Sequence, residues 1–555
     1  MTASTRRRLR AGALSCTLMV IAPTLALAGP VEPSPLMPFP QKLSGELPYD
    51  VTDVSNQVGR FVKEERIPQA QRLFDIFSWQ TFIALNWPAD PSGKPILNGP
   101  PRNDVPLVWE YWINASQVFK PNGVAPDPWP VSPSVLGRSL QRNRAAGKPH
   151  IEAHDTLQAF SGPLVDQNGK WVRYEILMNR TEYDYIVHNT LYNQEGQALF
   201  NLDHQVAFPV NDGRKRHGSM EIKLAWKELG PNDIQERFLV RKADLYNPDT
   251  GKYERNKLVG LVGMHVAVRT ASSPQWIWAT FEHVDNVRVK QAELKVNGKY
   301  VQMQPNFANL NTPTALPNQL PPMNAVIDPK TGLPVPVTAA STQPPTTWLM
   351  ANTTNPVQVM RVIPLDPATE ELNAQAQAVL RQAGSALQYY ELIGTQWPVH
   401  PKAPAVPGGQ GSAPESIVNK TPGNMVPVYL VNSIMETYFQ KGIQNAGPLE
   451  QDDRLAPNND GVDTTQVFGT ESCVGCHYSA GSVIGFKKDG RGNYLRTAEG
   501  MKLPIYGENS NFGLTGSGNF SWLLQIYAQS TDAPKTHNVP KQPKQDKPLV
   551  SHPTP

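Results

Sequence analysis

The sequence predicts an α+β protein: a large antiparallel β-rich domain with buried helices, followed by a small, mainly helical or irregular segment. Three observations carry this expectation. Between residues 150 and 305, short runs of alternating polar and apolar residues are separated by turn chemistry such as Asp166-Gln167-Asn168-Gly169 and Val296-Asn297-Gly298, which signals hairpins rather than crossovers. Apolar stretches of helical length flank that region on both sides. The 54 prolines and 40 glycines of the 555-residue chain demand many turns and argue against a helical bundle.

Taken in order, residues 1–28 read as a signal peptide. Arg6, Arg7, Arg8 and Arg10 precede an apolar run ending at Leu25, and Ala26-Leu27-Ala28 supplies a cleavage motif. The run is too short to span a membrane confidently, so the expectation is export to the periplasm with no integral membrane span after cleavage. Domain boundaries follow composition: 29–400 for the β-rich α+β domain, 401–424 for a Pro/Gly-rich linker, 425–531 for the C-terminal segment and 532–555 for a Lys/Pro/Gln-rich disordered tail.

Within the large domain, 29–65 is an extended arm and 68–86 a helix apolar around most of its circumference, stopped by Pro88. The runs WVRYEILMN, GSMEIKLAW, KLVGLVGMHVAV, QWIWATFEHV and AELKVNGKYVQM read as strands. Residues 306–347, crowded with Pro, Thr and Asn, read as a long loop. A helix is expected over 367–394, with acidic residues in its first turn and Gly394 at its end, another over 428–441, and a short last one over 519–529.

The most specific chemistry lies in Cys473-Val474-Gly475-Cys476-His477. Two thiols three positions apart can add across the two vinyl groups of a porphyrin, and the adjacent imidazole can then reach the iron. Only one other cysteine exists, Cys16, and it falls in the leader. A structural zinc site wants four ligands, and no second Cys pair or His-x-His cluster supplies the rest. A thiol–disulfide redox pair also uses Cys-x-x-Cys, but it does not need the trailing histidine.

Residues 473–477 resemble the attachment motif of c-type cytochromes, strongly over those five positions and loosely over 465–530. The resemblance implies a cytochrome c-like segment with one covalent haem c on Cys473 and Cys476, His477 as proximal iron ligand, and a periplasmic redox partner. Met501, the only methionine after the motif, is the candidate sixth ligand. Phe468 stands five residues before Cys473, where class I cytochromes place an aromatic residue four before.

The sixth position decides the function. Filled by Met501 or a histidine, it gives an electron carrier; left open, it gives an oxidase- or peroxidase-like oxidoreductase whose large domain shapes a pocket for a small-molecule substrate. A binding or scaffold protein with a structural haem is the third reading. His265, His283 and His400 are the alternative distal residues. A hairpin through Thr270–Pro274 would bring His265 toward Glu282, Trp276 and Trp278 and make a proton-handling group with a carboxylate beside it; the same residues also read as ordinary sheet positions. His204 and His217 flank a polar loop and read as solvated.

The remaining composition excludes other classes. The formal charge of +3 includes the four arginines of the leader, so the rest of the chain sits near −1 and offers no footprint for nucleic acid or anionic lipid. No Gly-Lys-Ser/Thr loop, Gly-x-Ser-x-Gly elbow or His-Glu-x-x-His appears, so nucleotide and hydrolase chemistry have no support.

Overall fold

The alternating runs of the central region become one antiparallel sheet. Its strands are β1 (Ile113–Asn114), β2 (Arg173–Met178), β3 (Met220–Glu228), β4 (Val240–Asn247), β5 (Lys252–Val268) and β6 (Ile277–His283), joined much later in the chain by two more. Between them lie a separate hairpin, β7 (Glu293–Val296) with β8 (Lys299–Gln302), and a small sheet of β9 (Ala325–Ile327), β10 (Pro334–Pro336) and β11 (Leu349–Met350). The late strands β12 (Tyr390–Pro398) and β13 (Met425–Val426) complete the order β1-β2-β3-β5-β6-β12-β13, with β4 paired to β5.

This computed structural model describes residues 35–51, 57–97, 105–129, 158, 163–247, 252–289, 293–296, 298–309, 317–318, 325–327, 334–336, 349–350, 356–399, 425–427, 429–440, 472–478, 480–496, 500–507 and 518–531. The leader, the arm 52–56, His400, the linker 401–424, Phe468 and the tail lie outside the described residues. No described helix is long and apolar enough to cross a membrane.

The period of two sorts the sheet's side chains onto two faces. On one, the row Leu177–Ile222–Val266–Ala279 and the row Leu224–Met264–Phe281–Leu392 follow from the strand registers. Helices α1 (Gln57–Lys63) and α2 (Ile67–Leu85) lie on this side. Helix α2 is buried along most of its length, as its all-round apolar sequence predicts. Phe82 stacks on Phe281 at 4.1 Å between ring centres. The first face is thus an ordinary apolar core.

The opposite face carries chemistry. Its rows read Met178–Glu221–Ala267–Trp278–Gln396 and Ile176–Lys223–His265–Thr280–Gly394. Short helices α3 (Ala115–Val118), α4 (Arg180–His188) and α5 (Gln194–Phe200) flank this side. Much of the C-terminal part of the chain is laid across it, with Val474, Tyr478, Phe520 and Leu524 packed against Met178, Ala267 and Trp278.

Three expected helices are corrected. The one begun at 367 stops at Gln382 (α6, Pro367–Gln382), because Gly384 adopts the left-handed conformation, φ +66°, that ends helices. Residues 390–398 then run as β12 beside β6, so Gly394 sits inside a strand. There it leaves room for Leu430, whose Cδ1 would lie 3.0 Å from an added Cβ. Of the helix expected over 428–441, the described residues 429–440 hold turns and a 3-10 turn at Thr437–Phe439, since Asn432 and Ser433 give their hydrogen bonds to the sheet instead. The last helix shrinks to Leu523–Ile526. Residues 306–347, expected as bare loop, contribute β9 and β10.

Candidate functional site

Cys473–His477 forms a helix of five residues, α7, and α8 (Leu523–Ile526) follows it in the chain. Its start is fixed from three sides. Ser472 caps it, its Oγ accepting from Gly475 N–H. Cys473 N–H donates to Leu430 O, which extends a parallel bridge between Leu430 and Ser472. From β12, the fully buried Gln396 carboxamide accepts from Val474 N–H at 2.8 Å, bonds Ser472 Oγ at 2.8 Å and donates to Pro427 O at 2.6 Å. Gln396 therefore ties Pro427 to the start of the motif helix at Ser472 and Val474. Gln396→Leu is expected to lower unfolding free energy by about 2–4 kcal/mol, because it strands several buried polar groups at once. Urea denaturation checks this, and an unchanged midpoint would remove Gln396 from the argument.

Positions 473, 476 and 477 stand at i, i+3 and i+4, so both thiols and the imidazole share one face of the helix. Neither cysteine forms a disulfide. Burial pushes the Cys473 thiol well above its usual range, and the Glu436 carboxylate pushes it the same way. A dithiol oxidoreductase needs the reverse, a stabilised thiolate.

The imidazole of His477 is held by its far nitrogen. Nδ1 lies 2.7 Å from Phe520 O, so Nδ1–H donates there and Nε2 keeps its lone pair. Asn519 and Phe520 are both left-handed, at φ +51° and +72°, a costly conformation for a phenylalanine. That turn presents the Phe520 carbonyl to the ring. Trp278 packs on the other side, with ring centres 4.4 Å apart. Burial lowers the His477 pKa to about 4; the Phe520 hydrogen bond opposes this, and His265 and Lys223 add to it. The ring is thus neutral over the physiological range. These residues fit the demands of a covalently held haem: two unbridged thiols and an oriented imidazole on one helix face.

Next to this helix stands an ionisable pair. His265 Nε2 lies 2.8 Å from Glu436 Oε1, and Glu436 Oε2 accepts from Asn432 N–H at 2.8 Å. Burial would raise the Glu436 carboxyl, but His265 beside it and Lys223 outweigh that and bring it below its ordinary range. Asn432 in turn donates to Thr280 Oγ1 and to Phe281 O.

The sequence places His265 toward Glu282 and the two tryptophans. The strands do share the expected hairpin, and His265 lies opposite Thr280 on the face of Trp278. Its carboxylate, however, is Glu436. Glu282 bonds Arg361 and Ser433 N–H instead. His283 is elsewhere, stacked on Phe238 at 4.2 Å with Nε2 3.0 Å from Arg237 O, and burial lowers its pKa to about 4. His204 is exposed beside Asp203, whereas His217 is half-buried against Tyr49 at 3.9 Å rather than solvated. Met501 is half-buried beside a small sheet after the motif; among the described residues no hydrogen bond joins it to His477.

A second ionisable pair lies on the same face. The carboxyl groups of Glu182, fully buried on α4, and Glu221 on β3 are electrostatically coupled neighbours, and neither Glu182 oxygen has a hydrogen-bond partner among the described residues. Burial raises both pKa values, that of Glu182 strongly, and no cation offsets them among the described residues. Acids with raised folded pKa values contribute stability that is complete below their unfolded values near 4.3 and is lost as pH climbs through the folded ones. Glu182→Gln is therefore expected to raise the melting temperature by about 1–3 °C at pH 8 and not at pH 4. Equal shifts at both pH values would refute the assignment.

Comparison with known protein families, with curated proteins and with solved structures finds no match for this chain.

Proposed function

We propose that the chain is a periplasmic mono-haem c-type cytochrome-like protein that transfers electrons. Cys473 and Cys476 hold the haem covalently and His477 ligates its iron. The observation that carries this reading is the Nδ1–H···O=C bond from His477 to Phe520, which frees Nε2 on the same helix face as two unbridged thiols. The bound haem supplies a one-electron ferric/ferrous couple. The protein's part is to orient the ligand through Phe520, to shield it with Trp278, and to set the charge around it with His265, Lys223 and Glu436. A haem-stained band on a denaturing gel, from cells able to mature c-type cytochromes, tests the attachment.

One observation favours the oxidoreductase reading as a second choice. The His265–Glu436 pair is built like an acid–base group, an imidazole oriented by a half-buried carboxylate, and it adjoins the helix that would bear the iron.

A further inference from the structure

Beyond the motif, the chain folds into a three-stranded meander. Strands β14 (Val483–Phe486) and β15 (Pro504–Tyr506) pair, and the bridges Lys488–Tyr494 and Arg496–Lys502 add a middle strand. Its base is tied to the motif region, with Gly507 N–H on Ser482 O and Gly481 N–H on Gln525 Oε1. Helix α5 flanks it, through Asn201 Nδ2 on Val483 O and Val483 N–H on Gln197 Oε1.

This meander is unusual on two counts. Eleven large apolar residues are strongly exposed among the described residues; Ile484, Tyr494, Leu495 and Ile505 lie in the meander, and Leu199 and Leu202 flank it. Six of the eleven therefore lie in this segment or beside it, a concentration of the kind found at interaction surfaces. Charge gathers there too. Residues 480–507 carry five cations and two acids, a net +3, on a chain that is near −1 beyond its leader. No ion pair joins Lys487, Lys488 or Arg491 to a carboxylate among the described residues. Lys488 lies 5.0 Å from the Tyr494 ring centre, which fixes its charge at the edge of the apolar surface, whereas Lys502, 5.1 Å from the same ring, is paired with Glu195 at 3.7 Å.

We propose that the meander, with Leu199 and Leu202, is the docking surface for an acidic redox protein, one whose contact patch is apolar with a carboxylate rim. This rests on the haem reading for the word redox and on charge complementarity for the occupant. A protein fits better than a membrane, because binding in the plane of a membrane surface calls for an amphipathic helix laid along it, and this surface is mostly a short sheet.

The test uses purified flavodoxin, an acidic electron carrier, as the probe, with binding to the haem-loaded chain followed by calorimetry. Binding is expected at low salt and should weaken about tenfold or more between 20 and 200 mM salt. The combined Lys487→Glu, Lys488→Glu and Arg491→Glu variant should bind at least about tenfold more weakly, with haem content and visible spectrum unchanged. Leu202→Ser should weaken binding without changing the salt dependence. Equal affinity of the wild type and the triple variant overturns the proposal, as does absence of binding. Binding to anionic phosphatidylglycerol vesicles in place of flavodoxin also overturns it and assigns the surface to lipid. A chain without bound haem would instead mark failure of the haem reading, whatever the binding result.

Discussion

Serine at either Cys473 or Cys476 is expected to cut covalent haem sharply, and serine at both to abolish it, with His477→Ala losing the proximal ligand. Each thioether needs its own thiol, and one remaining bond leaves the porphyrin tethered at a single edge. The structure adds a consequence for stability. Val474 and Tyr478 are buried members of the cluster that packs on the sheet, so the motif helix is part of the core. A covalent haem stays attached when the chain unfolds, so it would stabilise the fold through the contacts and the His477–iron bond that exist only in the folded state. The cysteine variants should therefore also melt at lower temperature and lose the cooperativity of the C-terminal part first. Haem staining and a pyridine haemochrome spectrum measure attachment, and calorimetry measures the melt. If the wild type carries no haem under maturing conditions, the central reading falls.

How much of this was legible beforehand depends on whether the cause is local. The β5–β6 hairpin and helix α2 were, because alternation, apolar period and turn residues act within a few positions of one another. The pairing of His265 with a carboxylate was legible in kind but not in partner. Glu282 is its near neighbour by strand register, whereas Glu436 arrives from 171 residues away. Gln396 gave no signal at all. It lies two residues past the end of the helix expected over 367–394, and its role comes wholly from Ser472 and Val474 crossing the strand. The segment 429–440 misled for a related reason. Its apolar spacing suits a helix, but Asn432 and Ser433 find better partners on Thr280 and Glu282, and tertiary hydrogen bonds override local propensity.

Met501→Ala is expected to leave the Soret band and the reduction potential unchanged, while His265→Ala is expected to change both. Gly507, at the base of the meander, is tied to Ser482. Met501 lies six residues further out along an extended strand, about 20 Å at some 3.3 Å per residue, in a turn that Arg496 closes by donating to Gly500 O. His265, in contrast, acts on His477 directly enough to lower its proton affinity. Its Nδ1 is buried without a hydrogen-bond partner, and leaving such an atom bare costs about 1–3 kcal/mol. An iron ligated there, or a bound water or substrate, would satisfy it. His265→Ala should then give a high-spin ferric spectrum with fast carbon monoxide and cyanide binding if the imidazole is the sixth ligand. If instead it handles protons at an open iron, the wild type is already high-spin, and the variant loses the pH dependence of its potential while keeping its spin state. The reverse pattern, a red-edge thioether band in the ferric wild type that disappears in Met501→Ala while His265→Ala stays normal, would return the sixth position to the methionine and require the meander to fold back over the motif helix.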